Sequence, residues 1–285
     1  MCNNNEQAVA KVATTPMKRF NAAIASVEMQ TYLTSVLGEK KSSFVNNVVA
    51  LVSNSSALQQ CAPMSVVYAC LKATALDLPL DPNLGFAYVI PYGNTKAASV
   101  EAQFQIGYRG FIQLAIRSGL FSDLNVTDIR EGEIKSRDML SGKISAEFVE
   151  DRESRPIIGY VAYFRLNTGF EHMMYMTKSE MEAHATRYSK TYSSKNEYVR
   201  NSSKWTTDFD AMANKTVLKL LLSKWAPLSV DMKQAIQLDQ AVFNEEGDTS
   251  YEDNPEEQPQ PQTQPSVEER KEAMRANGST PDTLL

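Results

Sequence analysis

Two arginines and a glutamine recur at a spacing of four in the stretch QFQIGYRGFIQLAIRSG, residues 103–119. If this stretch is helical, Arg109, Gln113 and Arg117 form one stripe, because residues four apart lie on the same helix face. The stripe begins where the unpaired N–H groups of a helix already favour anions. A glycine on either side of the Tyr-Arg pair would let another backbone approach closely. Guanidinium groups grip phosphates with parallel hydrogen bonds, so the pattern points to a nucleic-acid backbone; an exposed polar helix face is the alternative.

A second basic line lies near the end of the globular sequence. Lys215 and Lys219 are also four apart, and we place them opposite an apolar face that contains Leu218, Leu222 and Trp225. This line could form a second wall of a nucleic-acid groove. The alternative is an ordinary solvated helix face.

Basic and aromatic residues alternate in the segment before this second helix. Single-stranded nucleic acid selects such a composition, since cations contact phosphates and rings stack on bases. Residues 187–224 hold 8 basic and 3 acidic residues. The members are Arg187, Tyr188, Lys190, Tyr192, Lys195, Tyr198, Arg200, Lys204 and Trp205. Trp205 could equally be a core residue.

The charge is distributed unevenly along the chain. The whole sequence of 285 residues has a net charge of −5, yet residues 241–285 alone hold 11 acidic and 3 basic residues. Residues 1–240 are therefore slightly basic, which permits a polyanionic partner. The tail is rich in Gln, Pro and Glu and cannot bury enough apolar surface to fold, so we expect it to be disordered. A short helix within 266–278 could form on a partner.

Hydrophobic periodicity predicts a helical N-terminal part. Apolar positions recur at helical spacing from 17 to 37 and again from 43 to 52. A third helix should begin at Pro63, which suits a first helical turn, and should end before the proline-containing segment 77–82. Lys72 falls off the apolar face of this helix. That face consists of Met64, Val67, Tyr68, Leu71 and Ala75.

Alternating patterns predict about five antiparallel strands in the middle of the chain. Two of them, 86–90 and 99–106, are joined by a hairpin-like loop, PYGNTKAA. The helix of the first stripe follows and should end at Gly119. Three more strands are expected within 144–176, and Asn-Thr-Gly supplies the turn between the last two.

Helices close the globular part. Thr177 and Glu180 form a capping box that should start one helix. Residues 188–204 are predicted to be mostly loop, 208–228 a strong helix and 231–243 a short one. The predicted fold class is α+β, with an antiparallel β-sheet of about five strands packed with helices, a helical N-terminal part and a disordered acidic C-terminal tail.

Three regions follow from this organisation. Residues 1–42 form an N-terminal helical or oligomerisation region whose first residues are disordered. Residues 43–240 form the core, and residues 241–285 form the acidic tail with its short partner-binding helix.

Motifs of common enzymes are absent from the sequence. It holds no P-loop, no G-x-G-x-x-G, no G-x-S-x-G and no H-E-x-x-H, and only 2 histidines. Any rearrangement of nucleic acid must therefore proceed without nucleotide hydrolysis. Asp128, Glu131 and Glu133 leave open a metal-dependent nuclease. The 3 cysteines share no metal-ligand spacing, and neither a signal peptide nor a membrane span is evident, so we expect a cytoplasmic protein.

The block DLPLDPNLGFAYVIPYGN followed by AQFQIGYRGFIQLAIRSG resembles the signature of the RecT family of phage and prophage single-strand annealing proteins. The resemblance covers roughly 45–235. It implies a core fold similar to the Redβ and Rad52 annealing proteins. It also implies binding of single-stranded DNA and of the annealed duplex intermediate, annealing without ATP, and assembly into rings or helical filaments. A partner exonuclease and the host single-strand binding protein would dock on the C-terminal region, in the cytoplasm of a bacterial host.

The resemblance also assigns roles to particular residues. Tyr108 joins the first stripe on the DNA-groove helix, Lys72 lies on a neighbouring helix, and the second basic line becomes the opposite wall. The loop from Pro91 to Lys96 would be a finger that touches bases or the next subunit. The expected DNA-binding set is Lys72, Tyr108, Arg109, Gln113, Arg117, Lys190, Lys195, Lys204, Trp205, Lys215 and Lys219. No cofactor and no nucleotide are expected, and magnesium enters only as an influence on annealing; a nuclease and a non-catalytic oligomeric scaffold remain the alternatives.

Overall fold

The structure, a computed structural model, describes residues 15–94, 99–138, 140–239, 241–243 and 249–251. The predictions for the first residues and for the acidic tail from 252 onward lie outside this part. None of the described helices combines the length and apolar character needed to span a membrane.

The N-terminal part is helical, as predicted. It contains α1 (Pro16–Ile24), α2 (Val27–Leu37), a 3-10 turn (Gly38–Lys40), α3 (Lys41–Ser53) and α4 (Ser56–Gln59). The single helix expected over 17–37 is divided because Ser26 caps a new helix: its hydroxyl accepts a hydrogen bond from Met29 N. Phe20 and Ile24 of α1 lie in the same hydrophobic core as the sheets and later helices.

Helix α5 (Pro63–Ala75) begins at the predicted proline and buries more than the predicted apolar face. Val67 is buried and Leu71 packs against the core, as predicted, but Ala75 is exposed, and Ser65 and Lys72 are buried as well. The reason for the wider buried surface is tertiary. The helix is enclosed by α1 on one side and by the following hairpin on the other, so side chains around most of its circumference lose contact with water.

The first hairpin pairs β1 (Ala87–Asn94) with β2 (Ser99–Ile106). Residues 91–94, expected in a loop, continue β1 in the structure. The β2 edge that faces away from β1 is satisfied partly by side chains, since Ala102 N donates to Ser65 Oγ at 2.8 Å. Helix α6 (Tyr108–Ser118) follows directly and ends at Gly119, whose φ of 67° is the left-handed cap that the sequence predicted.

Three long strands form the second sheet, and a small ribbon is inserted between two of them. The strands are β3 (Phe121–Arg130), β4 (Ile134–Arg137), β5 (Ile144–Ala146), β6 (Ile157–Leu166) and β7 (Glu171–Thr177). The sheet has the antiparallel order β3-β6-β7, and β4 pairs with β5. The α+β class is confirmed; its antiparallel strands are divided among separate sheets, and β3 has no counterpart among the predicted strands.

The remaining elements complete the core, partly on the second sheet and partly on the first hairpin. They are α7 (Lys178–Tyr188), α8 (Glu197–Ser202), α9 (Lys204–Thr207), α10 (Phe209–Trp225), α11 (Val230–Leu238), β8 (Ala241–Phe243) and β9 (Thr249–Tyr251). The capping box of α7 is present. Two short helices, α8 and α9, stand where loop was predicted, and the last predicted helix ends at Leu238 and is followed by β8. Helix α10 packs on β3, β6, β7 and α6.

Candidate nucleic-acid interface

The start of α6 is held tightly against the chain that precedes β1. Gly107 N donates to Phe86 O at 3.0 Å. A Cβ at Gly107 would lie 2.2 Å from Gly85 O, and one at Gly110 would lie 2.2 Å from Phe86 O. Both positions therefore require glycine. The sequence reasoning expected a nucleic-acid backbone to use this space, but the backbone that approaches is the chain's own.

A cluster of two tyrosines and one arginine surrounds this contact. Arg109 is exposed, and its Nε donates to Tyr108 Oη at 3.4 Å. Tyr88 Oη and Arg109 Cδ lie 3.1 and 3.4 Å from the position that a Cβ of Gly85 would take. Tyr88 retains 38% of its accessible surface. Two rings and a guanidinium are thus presented together at a helix N-terminus.

Tyr88 was missed by the sequence reasoning, which treated the FAYVI stretch only as a strand. Tyr88 lies opposite Gln105 in the hairpin register. Local spacing could not predict that this strand residue lies beside Arg109. Burial raises the pKa of Tyr88, and the nearby Asp208 raises it further, so its hydroxyl is protonated at neutral pH.

The arginine stripe is divided along α6. Arg117 Nη2 donates to Leu76 O at 2.6 Å, and its Nη1 lies 3.4 Å from Asp77 Oδ2. Arg117 therefore ties the end of α6 to the end of α5, and Gln113 is half-buried between the two arginines. Within the described residues, Arg109 has no carboxylate partner. The structure thus distinguishes two arginines that the spacing treated alike.

In the second basic line Lys215 is buried and Lys219 is half-buried, contrary to the predicted exposed orientation. Lys215 retains 5% of its accessible surface, and its Nζ lies 2.9 Å from Asp239 Oδ1. Lys219 Nζ lies 3.1 Å from Asp239 Oδ2. The predicted apolar side of α10 was wrong at Trp225, which is 41% exposed. The cause is Asp239, which follows α11 and draws both lysines inward.

Asp239 was not singled out by the sequence reasoning. Its side chain is fully buried. Burial raises its pKa, but Lys215, Lys219 and the backbone N–H of Ile106 together hold the pKa below its usual range. The carboxylate is therefore ionised. Asp239 follows the last helix of the core and lies 24 residues from Lys215 in the sequence. No local sequence pattern reveals that these two side chains meet.

The basic and aromatic residues before α10 do not share one environment: the lysines are exposed and the tryptophan is buried. Lys190, Lys195 and Lys204 are exposed. Trp205 is 6% exposed, and its ring centroid lies 5.4 Å from that of Phe209. Trp205 therefore has the core position that the sequence left open. Contact of the three lysines with DNA stays a prediction.

Lys72 lies inside the fold and not on a groove wall. It retains 8% of its accessible surface, and burial lowers its pKa to about 7. An ammonium group at this position is costly in low dielectric. The position of Lys72 on α5 differs from the predicted exposed one, because the hairpin covers this helix face.

Two of the three acidic residues of the nuclease alternative, Asp128 and Glu133, form ion pairs with arginines. Asp128 Oδ2 lies 3.0 Å from Arg130 Nε and 3.1 Å from Arg152 Nη2. Glu133 Oε1 lies 2.7 Å from Arg152 Nε. In the described part of the chain, no group of three or more His, Cys, Asp or Glu side chains is placed to hold a metal ion. These carboxylates tie Arg152, in the segment between β5 and β6, to the end of β3.

Comparison with known proteins places the chain in a family. The model of the RecT family matches residues 42–258. The chain is 42% identical over 201 residues to "Uncharacterized protein YqaK" of Bacillus subtilis (strain 168), a stretch that covers 70% of this chain and 65% of that protein. It is 31% identical over 186 residues to "Protein RecT" of Escherichia coli (strain K12), covering 65% of each chain. The chain thus spans just under two thirds of the length of these relatives. With a family match over more than half of its length, the chain belongs to the RecT family.

Proposed function

We propose that this chain binds single-stranded DNA and anneals complementary strands during homologous recombination, without ATP and as an oligomeric ring or helical filament. Membership of the RecT family supports the activity. The sequence holds no nucleotide-binding motif, which fits a reaction driven by base pairing. No covalent chemistry by the protein is needed, and magnesium would act only on the annealing rate.

The observation that carries the proposal is the cluster of Tyr88, Tyr108 and Arg109 at the start of α6. The guanidinium is exposed and has no carboxylate partner in the described structure, so it can bind a phosphate with paired hydrogen bonds. The two rings can stack on bases without reading their sequence. The helix N-terminus adds backbone dipoles that favour an anion. The rigid contact with Phe86 keeps the cluster in one orientation.

Further contacts come from the exposed lysines before α10. Lys190, Lys195 and Lys204 are exposed, Lys204 is the first residue of α9, and all three would offer charge to phosphates. Gln113 and Arg117 would lie farther along the same helix. Arg117 must first leave Asp77 if it is to bind a phosphate, so its contribution is smaller than that of Arg109.

Annealing follows if the protein holds phosphates and leaves bases open for pairing. A second strand can then be tested by Watson–Crick pairing, and each base-pair step supplies about 1.4 kcal/mol of stacking free energy. The duplex provides the driving force, and the protein lowers the barrier by aligning one strand. A filament should therefore bind an annealing intermediate more tightly than preformed duplex.

The acidic C-terminal region would serve partners and not DNA. We propose that it docks a partner exonuclease and the host single-strand binding protein in the cytoplasm of a bacterial host. Deletion of residues 245–285 should then leave annealing in vitro nearly unchanged and weaken partner binding. A truncated protein that no longer binds DNA would contradict this assignment.

The decisive experiment follows annealing of two complementary labelled oligonucleotides by fluorescence, without ATP. Wild type should accelerate annealing, and Arg109→Ala should lose most of that acceleration. Arg165→Ala is the matched control: it removes the same charge from an exposed arginine on β6 that is paired with Glu171, and it should behave as wild type. Equal activity of all three proteins would show that the cluster is not the interface.

Two outcomes would point to the alternatives. Magnesium-dependent loss of labelled DNA would indicate a nuclease. Absence of any salt-sensitive DNA binding by wild type would leave a non-catalytic oligomeric scaffold.

A further inference from the structure

One buried carboxylate connects three elements at the root of the candidate interface. Asp239 follows the last residue of α11, and its backbone N–H closes that helix on Ala235 O. Its Oδ1 accepts hydrogen bonds from Ile106 N and from Lys215 Nζ, each at 2.9 Å. Its Oδ2 accepts from Lys219 Nζ at 3.1 Å. Strand β2, α10 and α11 thus meet on one side chain.

The position of Ile106 gives this contact its significance. Ile106 is the last residue of β2, and the next residue, Gly107, is the N-cap of α6. Asp239 therefore fixes the backbone three residues before Arg109. The opposite side of the same turn is fixed by the hydrogen bond from Gly107 N to Phe86 O. The direction in which α6 presents its first residues depends on both anchors.

The cluster places charged groups inside the fold. Lys215 and Lys219 both donate to the fully buried carboxylate of Asp239. Burial lowers the pKa of the nearby His184, and Lys219 lowers it further. Buried charges are costly unless they are paired, and apolar replacements often stabilise a fold equally well. Orientation of a neighbouring backbone is a role that an apolar side chain could not perform, since it cannot accept the Ile106 N–H.

We propose that Asp239 is a positioning residue for DNA binding: together with Lys215 it orients the start of α6, and Lys215 acts through this carboxylate and not as a direct phosphate ligand. The inference rests on the proposed function. It assigns a different role to a lysine that spacing alone would place on the groove wall.

Salt dependence separates positioning from direct contact. Each phosphate contact to a single strand contributes about 0.7 to the slope of log affinity against log salt concentration. A residue that only orients α6 should misalign the paired hydrogen bonds of Arg109 while its charge stays beside the phosphate, so the affinity falls and the slope stays unchanged. Arg109→Ala supplies the reference for a direct contact, because it should lower both.

The experiment measures binding of the full-length protein to a labelled oligothymidine over a range of salt concentrations. The proteins are wild type, Arg109→Ala, Lys215→Met, Asp239→Leu and the double variant Lys215→Met/Asp239→Leu; leucine has the branched shape of aspartate but cannot accept the Ile106 N–H. We expect both single variants at the buried pair to bind about tenfold more weakly or worse, the loss expected when one charge-assisted hydrogen bond is misaligned, with the wild-type slope. The double variant should be no weaker than the weaker single variant, because both changes act on one contact.

Three results would overturn the inference. Lys215→Met could lower the slope as Arg109→Ala does, which would make Lys215 a direct ligand. A folded Asp239→Leu could bind as wild type, which would make the carboxylate merely structural. The two single effects could also add in the double variant. If Asp239→Leu does not fold, as judged by circular dichroism, the slope of Lys215→Met decides alone. Failure of the proposed function has a separate signature, since wild type would then show no salt-dependent binding at all.

Discussion

Gly110→Ala should be among the most disruptive single-methyl additions in the described fold. The new Cβ would lie 2.2 Å from Phe86 O and 2.7 Å from Ile106 Cγ2. Ordinary contacts between carbon and a carbonyl oxygen begin near 3.3 Å, so α6 must shift by roughly 1 Å. That shift strains the hydrogen bond from Gly107 N to Phe86 O and displaces Arg109.

The expected cost follows from three contributions. Overpacking against an immobile backbone lies at the upper end of about 1–3 kcal/mol, and the strained hydrogen bond adds about 1 kcal/mol. The better helix propensity of alanine returns about 1 kcal/mol. We therefore expect a loss of about 3 kcal/mol in the free energy of unfolding, or a fall of about 6–12 °C in the thermal midpoint for a domain of this size. DNA affinity should fall as well.

The measurement is thermal unfolding followed by circular dichroism, with Gly93→Ala as the matched control. A Cβ at Gly93 would meet nothing within 4 Å, so this variant should unfold within about 1 °C of wild type, as expected of a surface substitution. If Gly110→Ala is as stable as wild type, α6 does not pack on the backbone of Phe86 as described, and the orientation argued for Arg109 fails with it.

Other regions give independent predictions. Trp205→Ala should cost about 3–5 kcal/mol in urea denaturation because its ring lies in the core, whereas the partly exposed Trp225→Ala should cost clearly less; equal losses would contradict the assigned burial. Burial raises the pKa of Cys61 to about 11 and that of Cys70 to about 12, so both thiols should resist a thiol reagent near pH 8 until denaturant is added, and rapid labelling of both in the native protein would refute their placement. Burial raises the pKa of Asp128, but two arginines bring it below its usual value. Its contribution is therefore present above the unfolded-state pKa and is lost as pH falls through the folded one. The stability difference between wild type and Asp128→Asn should shrink between about pH 5 and pH 2, and a constant difference would argue against the ion pairs.

Local rules predicted the element boundaries well where a single residue type decides the backbone conformation. Pro63 begins α5, Gly119 ends α6 with a positive φ, and Thr177 with Glu180 starts α7. Each of these signals depends on atoms within one turn of chain. These local signals still determine the element boundaries in the folded protein because no distant contact competes with them.

Long-range contacts determine the strands and the buried side chains that local sequence patterns did not predict. Strand β3, FSDLNVTDIR, alternates poorly and carries several polar residues, yet it pairs with β6 along most of its length. Lys72 was assigned by helix spacing to an exposed face, but the hairpin covers that face. Lys215 was likewise turned inward by a carboxylate distant in sequence. Spacing locates residues on a helix, whereas burial depends on which other element packs there.

The division of the basic residues changes how DNA affinity must arise. The four-residue spacing that placed Arg109 on an exposed stripe also placed Arg117 and Lys219 on exposed stripes. Each of these two residues instead forms an ion pair with an aspartate of the chain. Their charges are partly neutralised within the protein. One subunit therefore has fewer cations available to bind a polyanion than the sequence suggests. Under the proposed function, ring stacking by Tyr88 and Tyr108 would supply free energy that salt does not screen. In the proposed filament, repetition of a weak site would raise the affinity further, because each subunit after the first would bind a strand that is already held. Such a distribution suits an annealing protein, which must release the duplex once pairing is complete: many weak contacts can be broken one at a time, whereas a few strong ones would trap the product.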